Sequence, residues 1–267
     1  MIEPECASDN TTRPWSVIAG DYSVTVRIVD LLPWGLTDYT AVDHLQRKLH
    51  ADVVAGAEDA IIMAQFTPTY TAGRHTKPED ITDLSLPIIK TDRAGSVTWH
   101  GPGQVVCYPV VKLKEPVDLI AWIRSVERGV IETVQQAYHL PATRIEGRAG
   151  VWLLKDTNAK HDMDRKICAI GLKVRQGATL HGVALNVHPD MTRAFSGIIP
   201  CGLGDAGVDT LYAEGVDTNV REAADQLIPR IITCITPQLQ RDPADKGVHT
   251  VDGRPLLLAA NLDSETI

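Results

Sequence analysis

Apolar positions recur along this chain with two different periods. Residues 22–30 (YSVTVRIVD) are rich in β-branched side chains and predict a strand, ended by Pro33 and Gly35. Val42, Leu45, Leu49 and Val53 then return at helical spacing. They predict a helix over 38–55, started by Thr37 or Asp38, with that stripe packed inward. The run over 60–66 predicts a buried strand, and 67–80, with two prolines and a glycine, a loop. Short strands are expected over 87–92 and 96–100 around a turn at Ala94-Gly95. A tight turn follows at His100-Gly101-Pro102-Gly103, then a strand over 104–111. A second helix is predicted over 118–138, facing inward through Leu119, Ile123, Val126, Val130 and Val134. A strand over 150–154, a hairpin of 166–174 with 179–187, and a last helix over 219–238 complete the pattern. The fold class is α+β (mixed α/β): a single domain with a mixed β-sheet flanked by helices. The expected organisation is a loose extension over 1–20, the folded domain over 21–240, and a tail over 241–267 to which the pattern assigns no role.

Composition narrows the function classes. The 267 residues are 44% apolar and 22% charged, as in an ordinary globular protein. Lys+Arg number 26 against 34 Asp+Glu, a formal net charge of −8, so there is no basic excess of the kind that meets nucleic acid. The five cysteines are odd in number and widely spread, without a Cys-x-x-Cys pair. That argues against a disulfide framework or a structural zinc site. The first residues, MIEPECASDN, carry no apolar run, and no stretch approaches membrane-spanning length. The expectation is a cytoplasmic protein with no nucleic-acid or membrane partner and no metal.

Two residues stand out chemically. In an alternating strand Lys166 shares a face with Cys168, Ile170, Leu172 and Val174, while Lys173 and Arg175 occupy the other. A lysine on an apolar face either snorkels to water or is held near something that uses it. Cys107, Cys168 and Cys234 lie in apolar runs and read as buried thiols. Cys201 lies instead in a Pro-Cys-Gly turn within a glycine-rich loop. Such a loop can expose a sulfur and aim backbone N–H groups at a reacting carbonyl, and a nearby ammonium favours the thiolate. The literal G-x-G-x-x-G over 202–207 lacks the strand before it and the helix after it that give that motif meaning. His181 and His188 have no third ligand at metal-site spacing. Arg93 and the glycines at 95, 101 and 103 could bring a guanidinium and open backbone close to a carbonyl or carboxyl.

Taken together, RAGSVTWHGPGQ, KICAIG, LHGVALN, IIPCG and TYTAGR resemble the ordered signatures of the octanoyltransferase family (lipoyl(octanoyl) transferases), within the biotin/lipoate ligase superfamily. The resemblance spans roughly 60–212. It implies a fold like the biotin/lipoate ligase catalytic domain. It also implies transfer of an octanoyl group from octanoyl-acyl carrier protein to a lysine of a lipoyl domain, with no cofactor. The lipoyl domains concerned are those of 2-oxoacid dehydrogenase E2 subunits and the glycine cleavage H protein. By the same resemblance Cys201 is the thioester nucleophile, and Lys166 favours its thiolate and moves protons. Arg93, Ala94, Gly95, Ser96, Val97, Thr98, Trp99 and His100 form the first acyl-pocket segment. Ala169, Ile170 and Gly171 form the second, and Gly182, Val183 and Ala184 the third, with His181 beside them. Ala94 and Asp209 stand where the signature has Gly and Thr. The oxyanion would be met by the Cys201 loop or the Gly182 region, and an acidic carrier protein by Lys173, Arg175 and Arg193. An ATP-dependent lipoate or biotin ligase and a non-catalytic acyl-binding module are the alternatives.

Overall fold

The computed structural model describes residues 24–155, 162–188, 195–199, 205–240 and 247–264; Cys201 lies outside them. In chain order the elements are β1 (Val26–Asp30), β2 (Leu36–Thr37), α1 (Tyr39–Val54), β3 (Asp59–Phe66), β4 (Thr69–Ala72), β5 (Ile88–Lys90), β6 (Thr98–His100) and β7 (Gln104–Val110). There follow α2 (Leu119–Tyr138), β8 (Ala142–Ile145), β9 (Arg148–Leu153), β10 (Arg165–Arg175), β11 (Ala178–Asn186), β12 (Gly207–Val208), α3 (Val220–Ile235), β13 (Val248–Asp252) and α4 (Gly253–Ser264).

The main sheet runs β13-β1-β3-β7-β11-β10-β9-β8, with β2 on β3 and β12 on β10; β5-β4-β6 form a second, small sheet. Pairing from β3 to β8 is antiparallel, whereas β1 lies parallel to both β3 and β13. The local signals act as expected. Asp38 caps α1 by accepting from Ala41 N at 2.9 Å, and Asn219 with Glu222 forms a capping box on α3. One face of the sheet packs on α2 and α3 through Trp122, Val126, Val130, Leu227 and Ile231. The other packs on α1 and α4, where Val42, Leu45, Leu49 and Val53 meet Ile62, Val106 and Tyr108. That second face is covered differently toward β10 and β9, where the small sheet stands over it and leaves a cavity.

Three expectations change. The segment read as a tail extends the sheet: β13 pairs with β1 from Val26↔Val248 to Asp30↔Asp252, and Ala260 of α4 joins the core beside α1. Residues 69–72, read as loop, form the central strand of the small sheet. Leu119 is half exposed, because the first turn of α2 overhangs the sheet, and Trp122 takes the inward place. No helix among the described residues is long and apolar enough to cross a membrane.

Candidate active site

Lys166 does not share a face with Cys168. It stands opposite Trp152 on β9, and Cys168 stands opposite Val151, with a register shift between the two pairs. Cross-strand partners project to the same side, and consecutive residues of β9 project to opposite sides. A bulge at Ile167 therefore reverses the alternation. Ile167 and Cys168 both enter the core under α2, and Lys166 turns to the cavity face with Ala169, Gly171 and Lys173. It is buried there, 6% exposed. The cavity thus lies on the face that the alternation gave to Lys173 and Arg175. Cys168, buried in the opposite layer, has its thiol pushed up to about 12 by burial, and burial raises Cys107 as well. Neither is a reactive thiol.

The cavity encloses about 770 Å³, within the range of small-molecule sites. Its walls bring together segments far apart in sequence. Arg93, Gly95, Ser96, Val97, Thr98 and His100 come from the first predicted segment, Ala169, Ile170 and Gly171 from β10, and His181, Gly182, Val183 and Ala184 from β11. Ala94, Trp99 and Lys166 are not among the lining residues. Trp99 alternates away from Thr98 and His100 and packs on Phe195 with ring centroids 5.7 Å apart. Ala94 is exposed, so its extra methyl meets nothing; Gly95, at φ 85°, is the position that needs glycine. Lys77, Asp80, Tyr108 and Arg148 also line the cavity and escaped the sequence reading, since they belong to no recognised motif.

Arg93 is a clamp for the backbone. Its Nη2 donates to the carbonyl of Thr71 at 2.6 Å and to Thr71 Oγ1 at 3.0 Å. Its Nη1 donates to the carbonyls of Ser96 at 2.8 Å and Ala94 at 3.1 Å. Gly171 passes close beneath: a Cβ there would lie 2.9 Å from Arg93 Cδ. The guanidinium expected to meet a ligand thus binds three signature segments to one another. Asp80 holds the next joint. Its carboxylate accepts from Ser96 Oγ at 2.6 Å, and its carbonyl accepts from Ile199 N at 2.8 Å.

The histidines are fixed by neighbours. His181 sits at φ 61° within β11, 1% exposed, with Nε2 2.7 Å from Asp92 Oδ1. Asp92 also takes Arg47 and Lys173 in partly exposed ion pairs. Arg47, Lys173 and His181 hold the Asp92 carboxyl far below the usual carboxylate range against its desolvation. Burial lowers His181, which stays neutral. His100 bonds Gln104 Oε1 through Nδ1 at 2.7 Å, and burial, reinforced by Arg93 and His181, pushes it down to about 3. An unfolded histidine titrates near 6.5, so the unfolded chain takes up protons first as pH falls. The stability supplied by neutral His100 is present above about pH 6.5 and is lost toward pH 3, at up to about 1.4 kcal/mol per pH unit. Unfolding midpoints in denaturant should decline from pH 7 to pH 4, and less steeply in His100→Gln.

Kinship decides what family this cavity belongs to. The family described as lipoyl protein ligase A/B catalytic domain matches residues 38–232. The chain is 41% identical over 214 residues to the octanoyltransferase of Corynebacterium jeikeium, covering 79% of this chain and 89% of that one. It is 42% identical over 212 residues to the octanoyltransferase of Mycolicibacterium smegmatis, covering 79% and 91%. The chain belongs to the octanoyltransferase family. Its fold is that of lipoate-protein ligases. The bipartite lipoate protein ligase of Thermoplasma acidophilum superposes with a TM-score of 0.62 at 15% identity, covering 88% of this chain and 91% of that one. A lipoate-protein ligase A bound with ATP gives 0.60 at 16% identity, covering 88% and 93%.

Within this family member, the residues on either side of 200–204 are well anchored. Ile199 lines the cavity, and Val208 of β12 pairs with Lys166. Because Gly207 opens a strand, the glycine run before it lacks the helix a dinucleotide motif requires. Asp209, a departure from the family signature, has its own partner. Its carboxylate binds the buried Arg165, which also reaches Glu214 at 3.0 Å, and its N–H donates to the Lys166 carbonyl at 3.0 Å. Gly182 stands opposite Gly171, roughly 16 Å along β10 from Lys166 at about 3.3 Å per residue. The Gly182 region is cavity wall.

Proposed function

We propose that this acyltransferase moves an octanoyl group from an acyl carrier protein to a lysine of a lipoyl domain, through a thioester on Cys201. The lipoyl domains of 2-oxoacid dehydrogenase E2 subunits and of the glycine cleavage H protein are the acceptors of this reading. The observation that carries it is a largely apolar cavity walled by the three signature segments, with the buried Lys166 further along β10, in a chain kin to octanoyltransferases. An extended eight-carbon chain spans roughly 9 Å at C–C bonds of about 1.5 Å. The cavity, at about 770 Å³, accommodates it.

The Lys166 ammonium favours the Cys201 thiolate, which attacks the donor thioester; the carrier leaves as its thiol, taking a proton from Lys166. The acceptor amine then attacks octanoyl-Cys201, neutral Lys166 takes its proton, and the Cys201 thiolate is released. Thioester to thioester to amide runs downhill, so the cycle requires no ATP. The test is intact mass of the protein mixed with octanoyl-carrier protein and no acceptor. An octanoyl adduct that acceptor domain clears is the expected result. Absence of an adduct would sink the covalent route: loading that requires ATP would indicate a ligase, and octanoyl binding without transfer an acyl-binding module.

A further inference from the structure

We infer that Trp152 is a positioning residue for Lys166, its indole face forming, with Gly150, the seat on which the lysine side chain is held. The inference rests on the proton-handling reading of Lys166 given above. Lys166 and Trp152 are direct cross-strand partners on β10 and β9. Lys166 Nζ lies 4.7 Å from the centroid of the indole, inside the distance of about 6 Å at which a cation is drawn to an aromatic face. Trp152 is 1% exposed, and its Nε1 donates to the Arg148 carbonyl at 3.3 Å, which fixes the plane of the ring.

Gly150, two residues earlier on the same face, gives the aliphatic stem its room. A Cβ at this position would lie 3.1 Å from Lys166 Cε, 3.2 Å from Lys166 Cδ and 2.7 Å from the Cys168 carbonyl. Arg148, two residues earlier again, places its guanidinium carbon 5.9 Å from the same ring and is tied to Asp205. Alternate residues of one strand thus build the seat: a cavity-lining arginine, a glycine that leaves space, and a ring that attracts charge.

A lysine needs such a device more than most groups. Its stem carries about 2 kcal/mol of rotamer entropy, and its compact charge has no planar fork to lock it in place. An aromatic face draws the ammonium without offering a basic atom. It orients the charge, and it takes no proton that Lys166 must give or receive.

The test uses the whole protein in single-turnover acylation from octanoyl-carrier protein, followed by intact mass, with melting temperature as a check on folding. Trp152→Leu should slow acylation about tenfold or more while the half-saturating donor concentration stays within about twofold, and Trp152→Phe should stay within about threefold of wild type. In a Lys166→Ala background Trp152→Leu should slow nothing further, because the group it positions is gone. If Trp152→Leu does not fold, Trp152→Met carries the same expectation. A folded Leu or Met variant as fast as wild type would overturn the inference. So would a Phe variant as slow as Leu, or an undiminished effect of Leu in the Lys166→Ala background. If Lys166→Ala alone acylates at the wild-type rate, the reading of Lys166 fails instead, and that failure is visible separately.

Discussion

Octanoyl transfer falls by at least about a thousandfold in Cys201→Ser and by a comparable factor in Lys166→Ala, measured as kcat/KM with carrier-bound donor and a lipoyl domain. A serine hydroxyl is almost wholly protonated at neutral pH, so replacing sulfur removes the nucleophile while keeping its shape. Removing a general acid–base typically costs about 10² to 10⁴ in rate. In Lys166→Ala the charge that favours the thiolate is lost as well, which places the expectation toward the upper end. The two losses should not add in the double variant, because the residues act on the same step. Stability separates this from a folding defect. Lys166 is buried at the cost of desolvating its amine, so its removal should leave melting within a few degrees of wild type. A Lys166→Ala variant that melts normally and transfers at a tenth of the wild-type rate or better would remove the lysine from the chemistry.

Arg93→Met lowers thermal stability sharply, and Arg93→Lys restores little of it. Arg93 is 7% exposed, and its guanidinium donates to three backbone carbonyls and one hydroxyl, those of Thr71, Ala94 and Ser96. Methionine fills the volume and leaves those acceptors buried without a donor, at about 1–3 kcal/mol each where no water reaches them. A loss of at least about 4 kcal/mol is expected, or roughly 10 °C in a chain of this size. Lysine brings a charge but no planar fork that reaches both Thr71 and Ser96. Below the melting transition, donor KM should rise, since the segment over 93–96 forms a wall of the cavity. The opposite pattern, normal melting with impaired KM alone, would show that Arg93 touches substrate directly.

The sequence by itself determined most of the secondary structure and named most residues of the cavity wall. The helical stripe at Val42, Leu45, Leu49 and Val53, the Asn219 cap and the hairpin before Asn186 are local facts, set by side-chain period and turn chemistry over a few residues. The ordered motifs also named most of the cavity wall, because a family signature marks positions whatever their geometry. What the sequence could not determine was direction and company. A period-two reading put Lys166 on one face with Cys168, and one extra residue at Ile167 turned it to the other; no propensity marks a bulge, which exists only in the pairing with β9. Arg93 read as a ligand group because its partner Thr71, 22 residues earlier, becomes a neighbour only when β4 meets β6. The last strand looked like a tail because the edge it completes, β1, lies more than two hundred residues earlier, and a parallel strand has no meaning until its partner is in place. Alternation and capping act within a turn or two of the chain. Register, the face of a charged side chain and the shape of a cavity depend on strands that meet only in the folded molecule, and tertiary structure alone decided them.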